Sequence, residues 1–540
     1  MTAALSRSQS PSEVSQKSLS TAAEGLSKAP DAQQHDAEGY APGDDERGSL
    51  PQGRQLGLVS ATFLIVNRIV GTGVFATTST ILDQSGSVGM SLIYWAIGAV
   101  IALAGYLVYA ELASVMPRNG GELNYLQHIY RKPKFLVASM YAAQALLLGQ
   151  AAGNSYVAGR YLLTAGGVAS EWGARGIGAA VLVVVLIVHG TLLKWGLRFQ
   201  NAVGLLKLVV LVFISFSGFA ALAGHTKVQP TPRNFDDAFA GTRSDVYGTV
   251  SCIYNAVWSY VGFSNLFYAL GEVNRPIRTM KIAGPLAIGV IATLYMLTQI
   301  AYFAAVPRQE ILDSNQVIAA LFFRNMFGRT SERALNVLVA LSAIANVFSV
   351  VFSQGRLVQA LGRDGLIPLG RFFASNRPCK APLAGISWHV LVTLIILLAP
   401  PAGDAYDFVL NLSTYPANAI NLLVATGLLS AYIPVRYRPG WAKQWAPPLR
   451  ASWPVTLFFS LVSLFLVVAP WIPPTQASDS VYNSMWYAMA PAVSVGIFAG
   501  GAAYWALVFH VLPRWGRYRL EERDDVLSDG TPIRIFAKVK

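Results

Sequence analysis

Asn67–Leu82 reads NRIVGTGVFATTSTIL. It lies inside an apolar run long enough to cross a bilayer, yet it carries an arginine and two glycines one residue apart. Glycine costs roughly 1 kcal/mol against alanine inside a helix, and a charge at the bilayer centre costs more. A helix weakened this way at mid-span breaks. Unwinding frees backbone N–H and C=O groups that lipid cannot satisfy. A polar substrate can satisfy them.

The surrounding chain requires a membrane setting. Of its 540 residues, 54% are hydrophobic and 13% charged, with a mean hydropathy of +0.44. Soluble domains carry about 25% charged residues. The net charge of +13 is scattered between apolar runs rather than clustered, which excludes a nucleic-acid face. Cys252 and Cys379 have no CxxC spacing, and the six histidines form no HExxH or paired pattern, so neither a disulfide framework nor a metal centre is expected. No GxxxxGKS phosphate loop is present, which excludes direct ATP drive by this chain. No nucleophile, acid and metal constellation points to an enzyme, and no cofactor is expected.

Apolar runs of about 18 residues or more predict an all-α membrane protein with twelve transmembrane helices. They fall at 56–82, 88–116, 135–163, 176–193, 199–223, 246–270, 282–306, 334–361, 383–399, 406–433, 453–471 and 485–512. Residues 1–53, rich in Ser, Ala, Gln and acids, read as a disordered tail with no signal-peptide core. Its Lys17 and Lys28 are accessible to regulatory modification, or the tail only solubilises. Residues 513–540 read as a second tail. Loops on one side carry 17 Lys and Arg against eight on the other, which predicts both termini in the cytoplasm.

A second interruption, WSYVGFSN, falls at Trp258–Asn265 in span six. If spans one to five (54–225) form one unit and six to ten (226–435) another, the two breaks occupy matching positions in inverted repeats. Spans eleven and twelve (436–512) are then peripheral. Paired glycine interruptions mark a transporter's binding site, although glycine in membrane helices also serves close packing. The N–H groups at the start of a half-helix suit a carboxylate, and freed carbonyls suit an ammonium. Together they fit the two ends of an α-amino acid.

NRIVGTGVFATTSTIL resembles the first-span signature of the amino acid–polyamine–organocation superfamily. Its Asn-Arg lead and ATTSTIL continuation resemble the fungal methionine permeases within the L-type amino acid transporter family. YAELASVMPRNGGELNYLQHIYRKPKF (109–135), WSYVGFSN with LGEVNRPIRT (270–279), and GRDGLIP (362–368) extend the resemblance from about 55 to 440. It implies the leucine-transporter fold, with a 5+5 inverted repeat and broken first and sixth spans. The substrate carboxylate would meet N–H groups around Gly71, Thr72 and Gly73. The amine would meet carbonyls near Ile69, Trp258 and Val261. Trp258 would be an aromatic lid, and Ser259, Tyr260 and Gly262 would shape selectivity. Animal members have glycine where Val261 stands, which favours a slimmer side chain such as that of methionine.

Lys207 lies well inside span five. It reads either as a snorkelling lysine or as functional. The resemblance places its ammonium where sodium bridges spans one and eight in sodium-coupled relatives. Because desolvation makes its charge costly, it could also load and release a proton. Glu111, six residues before Pro117, reads as an interfacial acid, an inner-gate group or a proton relay. Arg68 could pair with a carboxyl such as Glu111 or cap carbonyls of the unwound turn. His189 reads as a helix-interface residue rather than a proton carrier, and Asn67, Asn346, Asn418 and Asn421 as interhelical glue.

The implied activity is proton-coupled import of neutral L-amino acids, methionine favoured, across the plasma membrane. A broader facilitator or exchanger and an amino acid sensor share the same fold. A channel would need a repeated filter or charge rings, and none is visible. Expected partners are the amino acid, a proton and lipid, with no nucleic acid. Animal relatives pair with a glycoprotein through an outer cysteine, and the outer loops here hold none.

Overall fold

The computed structural model describes residues 56–314, 317–377, 381–476 and 480–540. Lys17, Lys28 and Cys379 lie outside the described residues. Helix α1 (Leu58–Ile69) stops at Val70, and the chain resumes as α2 (Gly73–Ala76) and α3 (Thr78–Ser85). Ser87 caps α4 (Val88–Val115), its hydroxyl accepting from the Met90 N–H. A short α5 (Glu122–Ile129) precedes α6 (Leu136–Leu147) and α7 (Ala152–Ala165). Ser170 caps α8 (Glu171–Thr191), and α9 (Leu193–Leu222) follows directly.

Asp245 caps α10 (Val246–Ser259) through the Gly248 N–H. The chain then leaves the helix at Tyr260 and returns as a 3-10 segment, Asn265–Glu272. Pro276 opens α11 (Pro276–Ala305), as suits a residue with no N–H to leave unpaired. Next come α12 (Arg308–Leu312), α13 (Ile318–Phe327), α14 (Arg329–Arg363), α15 (Gly370–Ala374), α16 (Leu383–Leu398), α17 (Ala405–Leu429) and α18 (Trp453–Val468). Helix α19 (Met489–Ala506) runs through a π-helical turn, Leu507–Val511, into α20 (Leu512–Trp515). The chain ends in an antiparallel hairpin of β1 (Arg519–Val526) and β2 (Pro532–Val539).

Helix covers every one of the twelve predicted stretches. Among the described residues, nine helical runs are long and apolar enough to cross a membrane. The other three stretches fall short for local reasons. Helix α10 has 14 residues because span six breaks, and α16 has 16. Helix α17 has 25 residues, but Asp407, Asn411, Asn418 and Asn421 dilute its apolar character. Outward faces are apolar, as lipid requires: Leu205, Val209 and Phe216 of α9 are all more than half exposed.

Two features depart from the sequence reading. The third predicted span is broken, with α6 ending at Leu147 and α7 starting at Ala152. The Trp388 indole N–H donates to the Leu146 carbonyl at 2.9 Å and so satisfies the end of α6. The C-terminal stretch, expected as a tail, is the hairpin. Gly530 turns it at φ 80°, with Leu527 and Thr531 closing the turn.

Candidate functional site

The two interruptions lie against each other. A Cβ on Gly73 would stand 2.6 Å from Ser259 Cα, closer than such atoms approach, so glycine is required for the broken helices to touch. Gly262, at φ 119°, brings the second break against Arg68. The Asn265 amide donates to the Leu64 carbonyl at 3.1 Å and fastens the 3-10 segment to α1.

Carbonyls freed where α1 ends are taken by side chains from three different helices. Asn346 of α14 donates its Nδ2 to the Arg68 carbonyl at 3.2 Å. Tyr295 of α11 donates to the Ile69 carbonyl at 3.1 Å. Lys207 of α9 donates its Nζ to the Val70 carbonyl at 2.8 Å and reaches the Asn67 carbonyl at 3.5 Å. Buried carbonyls without partners would each cost about 1–3 kcal/mol, so these three side chains are what allows the helix to stop there. Lys207 is 3% exposed, which excludes the snorkelling reading.

Between the breaks lies a cavity of about 20 Å³, lined by Arg68, Ile69, Gly71, Thr72, Gly73, Asn154, Trp258, Val261 and Asn346. That is room for roughly one water molecule. A chain of amides forms one wall. Thr72 Oγ1 donates to Asn154 Oδ1 at 2.8 Å, and Asn154 Nδ2 donates to Asn346 Oδ1 at 3.2 Å. Arg68 Nη1 reaches the same Asn346 oxygen at 3.5 Å. Of the backbone N–H groups at the break, that of Gly71 donates to the Ile69 carbonyl at 2.7 Å and that of Phe75 to the Thr72 carbonyl at 3.0 Å, while those of Thr72 and Gly73 precede the first intrahelical bond of α2.

The structure therefore brings Ile69, Gly71, Thr72, Gly73, Trp258 and Val261 to one cavity. Ser259, Tyr260 and Gly262 stand outside its lining. The Ser259 hydroxyl lies 3.1 Å from Thr77 Oγ1. Tyr260 stacks in an aromatic group with Trp95 and Tyr295. Two of the carbonyls expected for an amine are engaged: Ile69 accepts from Tyr295 and from the Gly71 N–H, and Trp258 accepts from the Val261 N–H.

Glu111 does not line the cavity between the breaks. Its carboxylate accepts from Tyr432, from the Trp445 indole at 2.9 Å and from the Ala451 N–H at 2.8 Å. It ties α4 to the segment between α17 and α18 and does not pair with Arg68. His189 is an interface residue, its Nε2 2.9 Å from the Phe348 carbonyl. Asn421 accepts from Tyr109 across helices. Asn418 donates to Thr414 within its own helix, contrary to the interhelical expectation, because the 414 carbonyl lies one turn away. Asn154 is the site residue the sequence reading missed. Its signal was an amide just after a Gly-containing interruption, GQAAGN, in an otherwise apolar span.

Residues 56–498 match the family model described as amino acid permease. The chain is 45% identical over 493 residues to the high-affinity methionine permease of Saccharomyces cerevisiae, covering 91% of this chain and 85% of that protein. It is 28% identical to the low-affinity methionine permease of the same yeast, over 91% and 88%. It is 27% identical to b(0,+)-type amino acid transporter 1 of Homo sapiens, over 77% and 82%.

Proposed function

The chain belongs to the amino acid permease family, and from that premise we propose that it imports neutral L-amino acids, methionine first, by proton symport with alternating access. Its family and relatives are permeases and transporters rather than enzymes. The observation that carries the finer reading is the meeting of two helix breaks around one cavity. On one side lie the N–H groups of Thr72 and Gly73 and the hydrogen-bonded chain of the Thr72 hydroxyl with the Asn154 and Asn346 amides. On the other lie Trp258 and Val261. Methionine is favoured by the two yeast relatives whose names carry it.

In this reading the carboxylate takes the N–H groups beyond the first break, where the half-helix dipole favours an anion. Trp258 closes over the bound molecule. The cavity of about 20 Å³ is too small for an amino acid, so this conformation is a contracted one. Loading requires the α10 break to draw back from the α1 break, and alternating access follows from that motion. Engaged carbonyls at Ile69 and Trp258 would then be released to the substrate amine. All twelve helical stretches are read as spans, arranged as a leucine-transporter-type inverted repeat with both termini cytoplasmic.

Lys207 is the residue we assign to coupling. It holds the Val70 carbonyl one residue from the cavity lining, so loss of its proton would loosen the end of α1. Lys207→Met should reach the cell surface and lose at least about ten-fold in uptake, in line with about 1–3 kcal/mol per unsatisfied buried carbonyl. Normal, proton-driven uptake by this variant would remove Lys207 from the mechanism.

The direct test is radiolabelled methionine uptake at pH 5 and pH 7.5 in cells lacking their own methionine permeases, with unlabelled competitors. Saturable uptake that is stronger in acid and collapsed by a protonophore is expected. Surface expression without methionine uptake would reject the substrate. Uptake indifferent to pH and protonophore would reject the symport.

A further inference from the structure

A second concavity lies far along the chain from the helix breaks. It holds about 560 Å³ and is formed where the end of α19 meets β1 and the Pro133–Phe135 segment. Its floor is apolar. Phe135, Phe509 and Phe536 pack with ring centroids 5.1–5.4 Å apart. Trp505 spans the wall and donates its indole N–H to the Lys134 carbonyl at 2.8 Å.

The rim is cationic. Arg514 and Arg519 both line the groove and are exposed. Among the described residues, neither guanidinium has an ion-pair partner. The one acid of the lining, Glu522, is already committed to Lys134 and, at 3.7 Å, to Arg534. The groove therefore joins an unneutralised cationic mouth to an aromatic floor.

Its position selects the ligand. The run Met489–Trp515 is long and apolar enough to span a membrane, and most of its residues are not buried within the protein. Gly501 packs one face of that helix against Met140 and Ala143 of α6, and its other faces are open to lipid. Val495, Leu507 and Val511 continue its exposed apolar surface to the groove, and Trp515, 84% exposed, stands at its end as an interfacial anchor would. The π-helical turn at Leu507–Val511 is the segment that carries Phe509 and His510 into the lining.

We propose that this groove binds the headgroup of an anionic glycerophospholipid, with its phosphate on Arg514 and Arg519 and an acyl chain continuing along the exposed face of α19. A soluble anion would use the two arginines but would leave the aromatic floor and the adjoining apolar helix face wet. A zwitterionic phospholipid would bring its own cation to a mouth with no free acid. Opposite charge next to a lipid-covered helix favours the anionic lipid.

The test is thermal unfolding of the purified full-length protein in detergent, titrated with phosphatidylserine, phosphatidylcholine or inorganic phosphate. Ligand affinity follows from the concentration dependence of the midpoint. Phosphatidylserine should raise the midpoint, and the other two should not. Arg514→Gln with Arg519→Gln should weaken phosphatidylserine about thirty-fold, taking roughly fivefold for each basic residue near an anionic surface. Arg436→Gln with Lys443→Gln, the same charge change on an exposed loop elsewhere, should leave it unchanged. Equal response to both lipids, equal loss in the control variant, or a full response to inorganic phosphate alone would each overturn the proposal.

Discussion

At the residue scale, the site depends on amides as much as on glycines. Asn346 joins three groups through one side chain: it accepts from Asn154 and Arg68 and donates to the Arg68 carbonyl. Asn346→Ala strands a buried carbonyl and a buried amide together. It should destabilise the purified protein by about 2 kcal/mol and raise the KM for methionine, read from thermal unfolding and uptake side by side. A variant with unchanged stability and unchanged KM would show that the amide chain does not shape the site. The glycines were legible because they violate helix propensity, and Trp258 because the family resemblance places an aromatic lid there. Asn154 was harder to read, since its importance lies in facing Thr72 across 82 positions of sequence. Ser259 and Tyr260 share a break with Trp258, yet a helical turn carries them to other faces. Spacing within a broken helix does not say which residues look inward.

At the element scale, the broken first and sixth spans follow from local chemistry, and the break in the third span has a fainter local signal, the Gly149–Gln150 pair at its centre. Its interruption is completed by Trp388 from another helix, a contact no local pattern announces. The C-terminal hairpin is a different case. SDGT between two alternating stretches is a turn signal, but a short charged end after the last apolar run reads as a tail. The hairpin is held at its turn by Asp529. That carboxylate accepts from the Asn376 N–H at 2.8 Å, the Thr531 N–H at 3.0 Å and Ser375 Oγ at 3.2 Å. Partial desolvation pushes the carboxyl up, and these donors outweigh it and hold it at about 2. A depressed carboxylate stabilises above its ordinary value near 3.8 and loses that contribution as pH falls through about 2. The hairpin should therefore stay docked from pH 4 to 8. Asp529→Asn should speed amide hydrogen exchange across 519–539 throughout that range, with exchange in α14 unaffected. Equal exchange in variant and wild type would mean that the turn contacts do not hold the hairpin.

At the scale of the whole molecule, composition and hydropathy located helix at all twelve stretches, because a lipid-facing surface leaves no other pattern. Three of those helices fall below the length or apolarity of a simple span, two of them, α10 and α17, because polar or broken segments lie within the protein. How the helices pack was not legible. The side chains that hold the first break come from α9, α11 and α14, drawn together only by the fold. The central claim is that the substrate lies between the two breaks, and Val261 offers a gain of function with which to test it. Val261 lines the cavity, and Val261→Gly would remove its side chain there without adding a clash. Val261→Gly takes away three carbons, and even one methylene in a binding site is worth about 1–3 kcal/mol. The measurement is inhibition of methionine uptake by phenylalanine and tyrosine in wild type and Val261→Gly at matched surface expression. A drop of roughly ten-fold in the concentration of aromatic competitor needed, with methionine still carried, is the predicted result. An identical competition profile would contradict the placement of the substrate between the breaks.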